Sequence, residues 1–289
     1  MSPLQLVQLV RLMEKTRGRP EIAIALIDGP VATDHPELAD AAIRQIPAKL
    51  KGTCSRADTV ACIHGTMVAG ILSARRGSAA PAICPECTLL VRPIFAETGG
   101  NGRIPNATPE ELAEAIVDTV DAGARVINLS SALAQPSSKG EKKLEEALNH
   151  AAQRGVITVA AAGNQSMVGS SAITRHPWVI PVAACNIRGR PLSESNFGGS
   201  IGRWGLSAPG ENVMSLGANG KTQTFGGTSA AAPFVTGAIA LLWSEFPDAS
   251  AAEVKLAITR CGREPRNALV PALLDAGAAH QVMVAARSL

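Results

Sequence analysis

Apolar and polar positions follow two rhythms along this chain. Leu4, Val7, Val10 and Met13 recur at helical spacing and predict an amphipathic helix over residues 3 to 16, docked on the body and ended by Gly18 and Pro20. Residues 21 to 28 (E-I-A-I-A-L-I-D) form a short, nearly all-apolar run, the pattern of a strand buried on both faces of a parallel sheet. Residues 31 to 60 show little periodicity and read as irregular, with His35 as a turn residue. A helix is expected from His64 to about Arg75, closed by Arg75, Arg76 and Gly77.

From there strands and helices alternate. Strands are expected at 88–94, 123–130, 156–162 and 178–184, and helices at 109–122 and 141–154. Thr108, Pro109 and Glu111 spell a capping box with Pro at the first helical position, and Ser250 with Glu253 spells a second, opening a helix to Arg260. The run from Phe234 to Phe246 is an apolar helix preceded by Gly226 and Gly227. Residues 272 to 287 are read as a closing helix. This order predicts an α/β fold: a three-layer, doubly wound, mainly parallel sheet with helices on both faces. No repeat or linker interrupts it, so one domain is expected over 1–289, with a helical extension at 1–19 and a core at 20–280.

Composition narrows the function. A 46% hydrophobic content over 289 residues suffices for a large core, and the mean hydropathy is +0.15. A net charge of +3 is too small to argue for nucleic acid or a membrane surface, and Tyr is absent, which removes a common stacking platform. No apolar run approaches the roughly 20 residues that cross a bilayer. The first 17 residues lack the organisation of a signal peptide, so a cytoplasmic location is expected. Of the six cysteines, Cys84 and Cys87 with Cys54 and Cys62 upstream leave three states open: free thiols (the cytosolic default), a disulfide, or a four-thiolate zinc site.

The candidate chemistry lies at the ends of these elements. Asp28 closes the first strand, where open α/β sheets place their reactive groups. Its bland alternative is an acidic turn residue. His64 is expected in the first turn of its helix, where a cation needs a nearby carboxylate. Asn164 follows a strand. Ser229 heads the apolar helix after a glycine turn, where backbone N–H groups can receive an oxyanion, although serine is also a common helix cap. An acid, a base and a hydroxyl on one rim make a nucleophilic triad, the carboxylate fixing the tautomer of the base.

Four motifs in order carry a resemblance: I-A-L-I-D-G at 24–29, H-G-T-M-V-A-G at 64–70, A-A-A-G-N at 160–164 and G-T-S-A-A-A-P at 227–233, with V-I-N-L-S at 126–130 and S-A-P-G at 207–210 between them. The chain resembles the subtilisin-like serine proteases over roughly residues 20 to 280. The resemblance implies a serine endopeptidase with catalytic Asp28, His64 and Ser229, and Asn164 in the oxyanion hole. It implies a peptide substrate held as an added strand between Gly100, Asn101 and Gly102 on one side and Ser130, Ser131, Ala132 and Leu133 on the other. The floor of the first pocket would come from near Ala160 to Asn164.

Departures from the family pattern sharpen the expectation. Gly29-Pro30 stands where Ser or Thr then Gly is common, and Ser131-Ala132-Leu133 stands where Leu-Gly-Gly usually follows the serine of the substrate-binding strand. Residues 73 to 87 hold a single acid, Glu86, so no calcium site or other cofactor is expected there. Asp28-Gly29-Pro30 and Cys62 look most like proteases that mature bacterial ribosomal peptides, such as the cyanobactin leader-cleaving enzymes, and that likeness would pair Cys62 with Cys84 or Cys87. The altered 131–133 segment favours a second reading, a catalytically weak peptide-binding domain in a peptide-modifying assembly.

Overall fold

A computed structural model describes residues 1–97, 107–130, 142–260 and 268–287. Its centre is a parallel sheet of eight strands: β1 (Ala23–Asp28), β2 (Ile43–Gln45), β3 (Thr88–Pro93), β4 (Val126–Leu129), β5 (Ile157–Ala161), β6 (Val179–Cys185), β7 (Leu206–Pro209) and β10 (Ala272–Leu273). They lie side by side as β10-β7-β6-β5-β4-β1-β3-β2. An antiparallel pair, β8 (Val213–Leu216) with β9 (Thr222–Phe225), stands apart.

The alternation of side chains along each strand makes the layers. Ile24 and Leu26 of β1, with Leu89, Val91, Val126, Val159 and Val182, face a core built with α3 (Val60–Ser73) and α8 (Thr228–Glu245). Ala23, Ala25 and Ile27 face the other way, with Leu90, Ile127 and Ala160, towards α4 (Pro109–Asp121) and α5 (Lys142–Gln153). The two central helices are buried nearly all round, so neither has a polar stripe. The outer pair is amphipathic, with apolar residues on the face towards the sheet and charged ones outside.

The capping signals read from the sequence hold. Thr108 and Glu111 bond each other's backbone at the start of α4, and Ser250 and Glu253 do so at the start of α9 (Ala251–Arg260). Other expectations need correction. The first helix is two, α1 (Pro3–Leu6) and α2 (Leu9–Lys15), broken where Gln8 takes a left-handed backbone with φ of 55°. It does dock: Leu9 and Leu12 are buried, and α2 packs on α8 and on α10 (Ala276–Ala286). The irregular stretch 31–60 contains β2. Residues 272–273 are an edge strand on β7, and the last helix starts only at Ala276, capped by Asp275. Arg76 does not close α3, which ends at Ser73 with Ala74 as its cap and no basic residue in its last turn. Its guanidinium bonds the carbonyls of Met13, Thr16 and Ile83, tying the end of α2 to the loop before β3. Two short helices, α6 (Ala172–Arg175) and α7 (Gly199–Trp204), flank β6. Among the described residues no helix is long and apolar enough to cross a membrane.

Candidate active site

Successive strands run to one side of β1 and then to the other, so the sheet's topological switch lies at the carboxyl ends of β1 and β4. Asp28 and Ser130 sit there, as the rule for open α/β sheets anticipates.

Asp28 is fully buried. Its Oδ1 accepts from the Gly29 N–H at 2.6 Å and faces His64 Nδ1 at 2.6 Å. A carboxylate at that nitrogen fixes the imidazole with Nε2 free to point outwards. Oδ2 has no hydrogen-bond partner among the described residues. The approach of α3 explains the glycines. A Cβ on Gly29 would run into the Ala61 carbonyl, and one on Gly65 into the carbonyls of Gly29 and Pro30. Paired bare backbones let the helix sit directly on the strand end and bring His64 to Asp28.

His64 is not in the first turn of its helix. Thr59 caps α3, accepting from Cys62 N at 3.3 Å, and the helix begins at Val60, so His64 is its fifth residue. Cys62 is bonded to Cys54, not to Cys84 or Cys87, which are buried free thiols. Distance decides the pairing. Cys84 N bonds Leu72 O at the far end of α3, about 15 Å along the axis from Cys62, whereas a disulfide spans under about 7 Å between Cα atoms. Cys54 is held beside the first turn by the bridge between Val31 and Thr53. Among the described residues, the one group of three spaced for a metal is Cys54, Cys62 and Glu97, and the disulfide consumes both of its sulfurs. The Phe225 ring meets the His64 ring edge-on at 5.1 Å.

Ser229 is the second residue of α8. The cap is Gly227, with φ of 83°, so the capping role that serine so often plays does not apply here. Ser229 is 9% exposed, and its hydroxyl donates to the Ser130 carbonyl at 2.8 Å rather than to His64. Pro233, four residues on, has no N–H for the Ser229 carbonyl, which instead accepts from the Ser130 hydroxyl at 3.4 Å. Behind Ser130 the chain of bonds continues into the core. Asn128 donates to the Ser130 hydroxyl at 2.6 Å, and Thr236 on α8 donates to Asn128 Oδ1 at 2.8 Å. Asn128 and Thr236 are fully buried. Sequence reasoning missed both, although each shows as a polar interruption of an apolar run.

Asn164 follows β5 and is exposed. Its Oδ1 accepts from Thr228 N at 2.8 Å, while Gly163 N donates to the Thr228 hydroxyl at 3.1 Å. With its oxygen engaged, the amide presents its NH2 end. Of the residues expected to line the substrate, Ser130 lies on this rim. Gly100, Asn101, Gly102, Ser131, Ala132 and Leu133 lie outside the described residues.

A carboxylate-oriented imidazole and a helix-borne hydroxyl, both held at one rim of a parallel sheet, are the parts that a serine hydrolase uses. The chain belongs to the subtilase family: the family model, peptidase S8, matches residues 19–269. It is 31% identical over 274 residues to mycosin-3 of Mycobacterium tuberculosis, covering 75% of this chain and 59% of that one. It is 29% identical over 235 residues to subtilisin Savinase of Lederbergia lenta, covering 81% and 80%. Of four curated relatives, mycosin-3 and fervidolysin among them, it spans 38% to 59% of the length. Among solved structures, a mutant of the protease domain of PatA superposes with a TM-score of 0.87 at 29% identity, covering 93% of this chain and 97% of that one. The prenylagaramide maturation protease PagA superposes with a TM-score of 0.84 at 28% identity, covering 95% and 98%.

Proposed function

We propose that this chain is a serine endopeptidase that processes a ribosomally made precursor peptide. The observation that carries the reading is the 2.6 Å bond between His64 Nδ1 and the buried Asp28 carboxylate, on the same rim as Ser229. The extended substrate runs beside Ser130, and its backbone N–H takes over the Ser130 carbonyl. The Ser229 hydroxyl, released from that carbonyl, turns to His64 Nε2. Oγ then attacks the scissile carbonyl carbon as His64 takes the proton. Asp28 holds the tautomer and offsets the charge on the ring. The Asn164 NH2 group and the Ser229 N–H receive the oxyanion. His64 returns the proton to the leaving amine, and water repeats the cycle on the acyl-enzyme. The precursor as substrate is supported by the likeness to PatA and PagA, whose structures cover nearly all of this chain.

A fluorophosphonate probe tests the reading. It is expected to label one residue of the folded protein, Ser229, with labelling abolished in His64→Ala. A folded protein that stays unlabelled while trypsin in the same reaction is modified would favour the peptide-binding alternative.

A further inference from the structure

The rim holds a second asparagine that the triad chemistry does not use. Asn196 is 7% exposed, and every hydrogen-bonding position of its side chain is filled. Its Oδ1 accepts from Gln165 N and Met167 N, both at 3.1 Å. Its Nδ2 donates to Ala162 O at 3.1 Å and to Gln165 Oε1 at 2.6 Å. Its own backbone N–H donates to Gly163 O at 2.8 Å. All five bonds go to one short loop, Ala162 to Met167, and Asn164 stands in the middle of it.

The loop needs such a mould. Ser166 takes a left-handed backbone with φ of 55°, a conformation that non-glycine residues rarely hold unaided. Two further backbone bonds run along its edge, Ser166 N to Glu194 O and Phe197 N to Met167 O, both at 2.9 Å. Asn164 itself contributes one bond, its Oδ1 to Thr228 N. That bond sets the direction of the amide relative to α8, and Asn196 sets the backbone from which the amide projects. A donor aimed at an oxyanion works only when held within a fraction of an ångström before the charge forms.

We propose that Asn196 is a positioning residue for the oxyanion donor Asn164, acting through the 162–167 loop. This rests on the reading of the chain as a serine peptidase with Asn164 in its oxyanion hole. Asn196→Ala, with active sites counted by fluorophosphonate titration, is expected to lower kcat on a cleaved peptide about tenfold, within the roughly 10²–10³-fold cost of losing a whole oxyanion donor. KM should stay within about twofold, because the uncharged ground-state carbonyl gains little from the donor. In an Asn164→Ala background the same change should cost less than about twofold, since nothing is left to position. Asn196→Asp keeps the acceptor for both loop amides and should recover part of the loss.

A second readout needs no turnover. Hydrogen exchange should show the Gln165 and Met167 amides losing protection in Asn196→Ala and keeping it in Asn196→Asp. Equal fold-losses of kcat in both backgrounds, a loss confined to KM, or unchanged amide protection would each overturn the proposal while leaving the peptidase reading standing. An Asn164→Ala enzyme of undiminished kcat would instead overturn the oxyanion role of Asn164, and the proposal with it.

Discussion

At the scale of single residues, the site depends as much on absent side chains as on present ones. Gly29 and Gly65 face each other across the contact of β1 with α3, and neither has room for a Cβ. Gly65→Ala should therefore push the helix from the strand and lengthen the bond between His64 and Asp28. The expected cost is about 1–3 kcal/mol of stability, the usual range for overpacking, with a fall in kcat larger than any change in KM. Urea unfolding with parallel peptide kinetics checks it, and full activity at full stability would contradict the contact. Much of this was legible in the chain. Asp28, His64 and Ser229 could be picked out because chemistry limits their residue types and because their order and flanking motifs resemble those of the subtilisin-like proteases. Asn128, Thr236 and Asn196 could not, because their value lies in what they touch. Asn128 and Thr236 are 108 residues apart in sequence and 2.8 Å apart in space.

At the scale of elements, the start of α3 shows where sequence reasoning reaches its limit. A histidine followed by glycine and threonine reads as a helix start. The helix begins four residues earlier because Thr59 caps it, in a stretch with no hydrophobic period to announce a helix. Capping boxes at Thr108 and Ser250 were readable since all their parts are local. The cysteine pairing was not, since it depends on how the 52–59 loop folds back on α3. The Cys54–Cys62 bond closes a loop with a sequence separation of 8, so its reduction should cost somewhat under about 3 kcal/mol. Thermal melts with and without a phosphine reductant, with Cys54→Ser as the control, measure this. A reductant effect that persists in Cys54→Ser would place the sensitive bond elsewhere. The short strands β2 and β10 escaped notice for a related reason: three and two residues carry too little alternation to be seen.

At the scale of the whole molecule, the parallel sheet with helices on both faces was legible from the alternation of strand and helix patterns, whereas the burial of α3 on all sides was not. The molecule's response to acid draws on two histidines, His176, which is buried, and His280, which is partly buried. Burial pushes the pKa of His176 below its ordinary 6.5, opposed by Glu145 and aided by Lys255. Burial does the same to His280, aided by Lys15 and opposed by Glu245. His176 Nδ1 accepts the Trp178 N–H and Nε2 faces Asn149 Oδ1, a pattern that favours the neutral ring. The folded state thus binds fewer protons than the unfolded chain. Stability is fully present above about pH 6.5 and is lost as pH falls through the lowered folded values. The melting temperature should be lower at pH 5.5 than at pH 7.5, and His176→Gln should reduce the difference. An equal or higher melting temperature in acid would contradict this.

The most direct test of the central claim is the turnover of Ser229→Ala on a peptide that the intact protein cleaves. With Asp28, His64 and Asn164 left in place, kcat should fall about a millionfold, the cost measured for this loss in subtilisin itself, while the protein keeps its fold by circular dichroism. Cleavage by the folded variant at a rate near that of the intact protein would remove Ser229 as the nucleophile.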